Sequence, residues 1–436
     1  MSASPLSLEK KNSPRQVLLA SLIGTTIEFF DFYIYATAAV LVFPALFFPK
    51  SDPMAARLAS LATFAIAFIA RPIGSALFGH FGDRIGRKKT LVIALVTMGV
   101  STVAIGVLPT YSTIGIWAPL LLAACRFGQG MGLGGEWGGA LLLAVENATA
   151  KTRAWYGMFP QLGAPAGLFT SGVVFLLLTR VLTGAQFLAW GWRLPFLASA
   201  ALVGVGLWVR LTLTETPVFA EARARQETVR VPLVVVVTRY KKALVAGVLS
   251  SLATFTIVYL ITTFALSWGT TVLGYSRTKF LLMELVGNLF FAAGVPWSAK
   301  LAAHGRKLVM VTVTVALALF GAMLARLFGA GTWGVMTMLV LGHGLMGVTY
   351  GTLGTLLSEL FPTRVRYTGS SLAFNVAGIL GASMAPYVAL WLAERYGLWS
   401  VGAYLAGMSG LTLVGLAMVR ETRGEEWGEQ GIGNRE

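Results

Sequence analysis

Long apolar segments separated by short polar turns run through almost the whole chain. A run of about 20 or more apolar residues is long enough to cross a bilayer as a helix. Breaking the pattern at charges, prolines and glycines predicts twelve such segments, at residues 17–47, 55–81, 88–109, 115–145, 154–179, 193–213, 243–272, 279–302, 307–328, 332–360, 367–392 and 398–419. The pattern therefore predicts an all-α polytopic membrane protein.

The composition agrees with this prediction. The chain is 56% hydrophobic and 12% charged, whereas soluble domains carry about 25% charged residues. A net charge of +16 is also typical of nucleic-acid binding, but here the cations are spread over many loops and form no single soluble patch. We therefore expect the lipid bilayer, and no nucleic acid, as a partner.

Lys and Arg residues are distributed unevenly between alternate loops. Loops on one face carry roughly three times as many as loops on the other, and such an excess marks the cytoplasmic side. This predicts an even number of spans with both termini in the cytoplasm. The first apolar run is too long and too interrupted by acids to be a cleaved signal peptide, and the absence of a targeting extension favours a bacterial inner membrane.

The chain divides into two similar halves. Its longest polar interruption, residues 214–242, separates six predicted helices from six. A basic turn, Gly82–Lys89, has a weaker echo at Gly305–Lys307. We therefore predict a cytoplasmic tail, two pseudo-symmetric six-helix bundles joined by a cytoplasmic linker, and a second tail, at residues 1–16, 17–213, 214–242, 243–419 and 420–436.

Several motifs resemble those of the major facilitator superfamily, and within it the metabolite:proton symporter family. The loop Gly82-Asp83-Arg84-Ile85-Gly86-Arg87-Lys88 is similar to the superfamily signature between helices two and three, and Arg126-Phe127-Gly128-Gln129-Gly130 to its helix-four motif. The closer family match is carried by Ile27-Glu28-Phe29-Phe30-Asp31-Phe32-Tyr33, Arg71-Pro72-Ile73-Gly74, Gly134-Gly135-Glu136-Trp137-Gly138-Gly139 and Trp190-Gly191-Trp192-Arg193-Leu194-Pro195-Phe196.

This resemblance implies a carrier that moves one small polar metabolite together with protons by alternating access, and that works as a monomer. No phosphate-binding loop occurs. No catalytic arrangement of Ser, His and Asp stands out, and no Cys/His spacing suggests a metal. The single cysteine, Cys125, reads as a small core residue. We therefore expect no enzyme activity, no cofactor and no metal.

Ionisable residues within the predicted membrane helices are functional candidates, because a charge at that depth costs at least about 2.5 kcal/mol. Glu28 and Asp31 are three residues apart, so they share a helix face near mid-membrane. Two close carboxylates cannot both ionise cheaply, and one should hold a proton at neutral pH. We predict proton coupling at Asp31, Glu28 and Glu136. The alternative is structural: one acid of the pair is a permanent partner of a buried arginine, and Glu136 is a paired acid in a glycine-rich packing helix.

Buried arginines favour an anionic substrate, because the planar guanidinium can bind a carboxylate through two hydrogen bonds. Arg126 could pair with substrate, with Asp31, or with each in turn, whereas Arg71 beside Pro72 could simply anchor a bend. The predicted substrate-binding residues are Arg126, Arg71, Tyr33, Gln161, Glu284 and Asn288. A histidine at position 343 reads as a satisfied core residue.

A conformational latch is implied by the resemblance at the cytoplasmic surface, where Asp83 would pair with or cap neighbouring helix ends and hold the outward-facing state closed. The alternative is a solvated basic loop. A spacing of seven residues after helix four recurs after helix ten, and the latch is predicted to contain Asp83, Arg84, Arg87, Glu146, Arg153, Glu359 and Arg366. Residues Ala302–Lys307 lack the acid, so the latch should be asymmetric, and we assign His304 no such role.

Three other functions remain open at this stage. A zwitterionic osmolyte such as proline or betaine could replace the organic anion, which would be a mono- or dicarboxylate or a shikimate-like hydroxy acid. No sustained heptad pattern follows Arg420, and this weighs against osmosensing. A passive facilitator would show flux independent of a proton gradient, and a membrane sensor would show no flux.

Overall fold

A computed structural model describes residues 13–48, 53–216, 218–219, 229–302 and 304–421. These residues form helices and connecting turns without any β-strand. Most of the two predicted tails and part of the predicted linker lie outside the described residues. Within the described part, twelve long helices follow one another, and each lies within a few residues of a predicted segment.

Six helices build the first bundle. Short helical turns lie between them at Phe43–Leu46, Tyr111–Ile114, Gly184–Ala189 and Gly191–Arg193. The bounds of the six are α1 Pro14–Leu41, α2 Pro53–Ile85, α3 Arg87–Val107, α4 Trp117–Val145, α5 Arg153–Val181 and α6 Leu194–Leu211.

Six more helices build the second bundle, preceded by a short helix at Pro232–Arg239. Two of them contain a π-helical turn, Leu260–Phe264 in α7 and Ile379–Ser383 in α11. Such turns occur frequently at functional sites. The bounds are α7 Lys241–Thr271, α8 Arg277–Ala302, α9 Arg306–Gly329, α10 Gly331–Glu359, α11 Thr363–Tyr396 and α12 Leu398–Met418.

Eleven of these helices are long and apolar enough to cross a membrane by length and composition, within the described residues. The exception is α4, which is 29 residues long but contains seven glycines, Arg126 and Glu136. At its glycine positions, where other membrane helices have apolar side chains, α4 lies close to neighbouring helices. A Cβ at Gly134 would overlap the backbone carbonyl of Arg71 in α2, so α2 and α4 pack backbone to backbone, as small residues allow in membranes.

Tight turns join α2 to α3 and α8 to α9 at equivalent places. Gly86 has φ 116° and Gly305 has φ 141°, a region that only glycine adopts without strain. Each glycine is followed directly by a buried arginine, Arg87 or Arg306, that starts the next helix. The two turns therefore place equivalent cations at equivalent ends of the two bundles.

Candidate transport site and contacts between the bundles

A small cavity lies between the two bundles at the middle of the helices. Its free volume is about 30 Å³, enough for about two water molecules. A metabolite therefore fits only after the lining moves. The lining is mainly aromatic and consists of Phe29, Phe32, Tyr33, Arg71, Ala164, Phe255, Val258, Tyr259, Phe291, Met346, Tyr350 and Phe374.

Arg71 is the only charged side chain lining this cavity in the described structure. Its Nε donates to Oδ1 of Asn375 at 3.1 Å, across the boundary between the bundles. The guanidinium carbon lies 5.5 Å from the Phe68 ring centre and 5.9 Å from that of Phe32. Arg71 is thus held in place by aromatic faces and one amide, with donors remaining for a ligand.

Arg126, the other predicted substrate ligand, does not line the cavity. It is fully buried, and its guanidinium carbon lies 4.0 Å from the ring centre of Tyr35 and 4.7 Å from that of Phe32. Its Nη1 donates to Oε1 of Gln129 at 3.1 Å. Phe32 therefore has both guanidinium groups near its ring.

The two acids of α1 have different surroundings. Oδ2 of Asp31 accepts a hydrogen bond from the Ser199 hydroxyl of α6 at 2.8 Å. Glu28 is fully buried, and neither carboxylate oxygen has a hydrogen-bond partner. Among the described ion pairs, neither acid is bound to Arg71 or Arg126.

Glu136 forms a buried ion pair with Arg210, which lies in the last turn of α6. Arg210 is not among the predicted site residues, yet its side chain is inside the bundle and the residue is 3% exposed. The signal was present in the sequence, because Arg210 lies within the predicted segment 193–213. Its partner Glu136, however, is 74 residues away in the sequence, and the sequence does not indicate that the two residues pair.

The remaining predicted ligands do not line the cavity, with the exception of Tyr33. Gln161 ties the bundles together: it accepts from Nε1 of Trp137 at 2.9 Å and donates to the Tyr350 carbonyl at 2.7 Å. Asn288 donates to the Pro165 carbonyl at 3.1 Å. Glu284, one turn away, is partly exposed. Gln161 and Asn288 thus join α5 to α10 and α8 beside the cavity.

Asp83 caps a helix of the opposite bundle. Its carboxylate accepts from the backbone N–H groups of Tyr367 at 3.3 Å and Thr368 at 3.0 Å, and from the Thr368 hydroxyl at 2.8 Å. These N–H groups belong to the first turn of the α-helical part of α11, which begins at Arg366, and N–H groups at such a position are commonly satisfied by a side chain outside the helix. Arg87 adds an ion pair to Asp83 at 3.0 Å.

Two glutamates form equivalent bridges between the bundles. Glu146 at the end of α4 contacts Arg87 of its own bundle at 3.3 Å and Arg366 of the other at 3.5 Å. Glu359 at the end of α10 contacts Arg306 of its own bundle at 3.2 Å and Arg153 of the other at 3.0 Å. The two repeated Glu/Arg pairs of the sequence therefore cross over: the glutamate of each pair binds the arginine of the other pair.

The predicted surface position of this cluster needs correction. Asp83 is 1% exposed and Arg87 is fully buried, because the second bundle covers both side chains. Arg84 is the member that stays at the surface, where its Nη1 lies 3.3 Å from Nε2 of His80. The predicted asymmetry is present. The described residue at the position equivalent to Asp83 is Ala302, which has no carboxylate. The counterpart of α11 is α5, and its N-cap residue Thr152 makes no side-chain cap.

Two further acids at the same ends of the bundles were not predicted. Glu215 after α6 accepts from the Lys88 N–H at 3.4 Å, and burial raises the pKa of its carboxyl. Glu421 after α12 accepts from the N–H groups of Arg306 and Lys307, each at 3.0 Å. Each carboxylate thus faces the positive end of a helix that starts after Gly86 or Gly305. The repeated Glu-Thr after α6 and α12 was the available signal.

The model of the Major Facilitator Superfamily matches residues 21–386. The chain therefore belongs to that superfamily, and it is a multi-pass membrane transporter rather than an enzyme. The predicted all-α fold of twelve helices in two bundles is confirmed. A solved structure of the proton:xylose symporter XylE bound to 6-bromo-6-deoxy-D-glucose superposes with a TM-score of 0.80 at 19% identity, covering 95% of this chain and 97% of that one.

Curated relatives cover most of the chain. An inner membrane metabolite transport protein of Escherichia coli K12, YhjE, is 56% identical over 94% of this chain and 95% of its own length. The shikimate transporter of the same organism is 36% identical over 90% and 91%. Its proline/betaine transporter is 32% identical over 87% of this chain and 78% of its own length. The predicted resemblance to metabolite carriers is confirmed.

Proposed function

We propose that this chain is a proton-coupled symporter of a small organic anion that works by alternating access between its two bundles. The observation that carries the proposal is Arg71, which lines the cavity between the bundles as its one charged side chain among the described residues. A guanidinium held among aromatic rings binds a carboxylate strongly, because it is less hydrated than an ammonium group.

The lining also supplies neutral polar groups. Tyr33, Tyr259 and Tyr350 belong to three different helices and surround Arg71. Their hydroxyls suit a hydroxylated acid, which agrees with the shikimate transporter among the relatives. A second candidate has its own support: an aromatic cavity suits a quaternary ammonium, and another relative is a proline/betaine transporter. The positive charge of Arg71 favours the anion.

Proton coupling is assigned to the acids of α1. Asp31 lies one residue before Phe32 and two before Tyr33, which both line the cavity. Its Oδ2 is bound by Ser199, whereas Oδ1 has no hydrogen-bond partner. A carboxyl with one anchored and one available oxygen can take a proton without changing its position. The same helix therefore carries both cavity residues and a proton site.

Closure at the cytoplasmic side is assigned to the Asp83 cap and the bridges at Glu146 and Glu359. Opening would break only the contacts between bundles. Glu146 would keep Arg87, and Glu359 would keep Arg306, so neither carboxylate would be left buried without a cation, the costly outcome. The network is thus suited to repeated opening. In this proposal both termini lie on the cytoplasmic face. Because one chain contains both bundles, a monomer suffices.

Uptake into proteoliposomes tests this proposal. Purified protein would be given labelled monocarboxylates, dicarboxylates, shikimate, proline and betaine, each with and without an inward proton gradient, beside Asp31→Asn. We expect one carboxylate to accumulate only with the gradient, and the variant to lose that accumulation. Accumulation of a zwitterion alone would favour the second candidate, and flux that ignores the gradient would indicate a passive facilitator.

A further inference from the structure

Arg210 connects three helices in the cytoplasmic half of the first bundle. Its Nη1 donates to the Leu91 carbonyl of α3 at 3.0 Å, and its Nη2 pairs with Oε1 of Glu136 in α4. The guanidinium also packs on Gly24 of α1, where an added Cβ would overlap Nη2. The absence of a side chain at Gly24 thus makes room for this arginine.

Glu28 lies one turn along α1 from Gly24, on the same helix face and about 6 Å farther along the axis. Both of its carboxylate oxygens are buried and lack a hydrogen-bond partner. Oε2 of Glu136 likewise lacks one. One buried guanidinium therefore interacts electrostatically with two carboxyl groups, and of these two it hydrogen-bonds only to Glu136.

Arg210 pairs with Glu136 and forms no described ion pair with Glu28. If both acids were ionised, Glu28 would be a buried carboxylate without a hydrogen-bond donor, which is costly. One proton shared by the two acids avoids this cost. Because Glu28 is the acid without a donor, the described arrangement corresponds to protonated Glu28 and ionised Glu136.

We infer that Arg210 is a positioning residue that exchanges between Glu136 and Glu28 and thereby passes the coupled proton from the central cavity toward the cytoplasm. This inference rests on the proposed proton symport. In the step, Glu28 loses its proton and becomes the carboxylate bound by Arg210, while Glu136 is released and gains that proton. One proton, one cation and one anion are present before and after, so the buried net charge does not change.

Other titratable groups face this set from the neighbouring helices. Arg71 of α2 and Tyr350 of α10 interact electrostatically with Glu28, and Asp31 of α1 and Tyr367 of α11 with Glu136. Arg71 and Tyr350 line the cavity. Glu28 is therefore the acid of the set nearest to the substrate position.

The outlet is covered by α11. The Tyr367 hydroxyl donates to the Gly135 carbonyl at 2.7 Å, next to Glu136, while the first turn of α11 is capped by Asp83. Separation of α11 from α4 would uncover Glu136 from the cytoplasmic side. Proton release is thereby linked to the same movement that opens the substrate path.

Infrared spectroscopy tests the inference directly. Spectra of the purified full chain would be recorded as differences between acid and neutral pH for wild type, Glu28→Gln, Glu136→Gln, Arg210→Gln and the control Glu284→Gln, which removes an acid from the other bundle. We expect Glu28→Gln to remove a protonated-carboxyl band. Glu136→Gln and Arg210→Gln should move the titration midpoint of that band in opposite directions, by a pH unit or more, because the first frees Arg210 for Glu28 and the second removes the cation. Glu284→Gln should leave the midpoint unchanged.

Two outcomes separate this inference from the proposed function. Suppose that wild-type uptake depends on the proton gradient, but the midpoint of the Glu28 band in Glu136→Gln and Arg210→Gln is the same as in wild type and Glu284→Gln. The exchange is then overturned and proton symport stands. If wild-type uptake ignores the gradient, the proposed function fails whatever the spectra contain. Because an unpaired charge could prevent folding of Arg210→Gln, Arg210→Lys is the second variant: it keeps the cation, and we expect a midpoint closer to wild type.

Discussion

Asp83 and Thr368 are 285 residues apart in sequence, yet the carboxylate of one receives both the backbone N–H and the hydroxyl of the other. Asp83 ends the second helix of the first bundle, and Thr368 lies in the first turn of a helix in the second bundle. A cap of this kind normally comes from the same helix. Here it comes from the opposite bundle, so it exists only while these ends of the two bundles are together.

Substitution Asp83→Asn should favour the state that is open to the cytoplasm. The change removes the ion pair to Arg87 and one acceptor of the α11 cap, and the loss of a hydrogen bond to a charged group costs about 1.5–3 kcal/mol. This corresponds to a shift of about 10- to 150-fold in the population ratio. Pulsed electron paramagnetic resonance between spin labels at Lys151 and Lys241, in a Cys125→Ser background, measures that ratio.

Arg84→Gln is the matched control for this experiment. It removes a charge one residue away, from a side chain that is exposed and contacts His80. We expect the distribution of label distances to match that of the parent protein. An equal shift in both variants would mean that the basic turn acts through its overall charge, and the cap would have no special role.

Glycine substitutions should separate contacts within a bundle from contacts between bundles. A Cβ at Gly79 would lie 2.8 Å from the Thr368 backbone of α11, and one at Gly134 would overlap the Arg71 backbone of α2. We expect Gly79→Ala to open the cytoplasmic side with little loss of thermal stability. Gly134→Ala should lower the melting temperature, because two helices of one bundle must separate.

Gly204→Ala serves as the control, since no atom lies within 4 Å of the added Cβ. Alanine is the better helix former by up to about 1 kcal/mol, so the melting temperature should stay equal or rise. Thermal unfolding in detergent and the label distances together decide the matter. A fall in melting temperature for Gly79→Ala as large as that for Gly134→Ala would contradict the assignment.

Arg71→Lys should weaken substrate binding more than Arg126→Lys. Lysine keeps the charge but loses the planar pair of donors, and a hydrogen bond to a charged group contributes about 1.5–3 kcal/mol. The KM for the transported carboxylate should therefore rise about 10- to 150-fold. Initial rates of uptake at varied substrate concentration measure it. A KM that changes only in Arg126→Lys would move the binding site away from the described cavity.

Glu215→Gln should flatten the pH dependence of stability. Burial raises the pKa of Glu215 above its ordinary value of 4.5, so the folded state binds this proton more tightly than the unfolded state. Its contribution is fully present below pH 4.5 and is lost as the pH rises through the folded pKa. Melting temperatures across acid and neutral pH should fall less steeply in the variant than in wild type, and identical slopes would contradict the assignment.

The sequence by itself determined the helices and their order. In a bilayer every backbone polar group must be satisfied within the segment, so apolar runs such as 88–109 and 307–328 must be helices wherever they pack. The turns at Gly86 and Gly305 were equally local, because a sharp turn between long helices requires a permissive backbone. The spacing of Glu146 from Arg153 recurs at Glu359 and Arg366. This repeat is visible in the sequence alone, and it indicated the two halves.

Only the tertiary structure decided which polar groups meet. The spacing within each half could not tell that Arg153 pairs with Glu359, because that contact depends on how the two bundles face each other. Asp83 and Arg87 are buried for the same reason: the opposite bundle supplies the cover. Arg210 reaches Glu136 because Gly24 leaves space between their helices, and such a fit depends on the three-dimensional packing of helices distant in sequence.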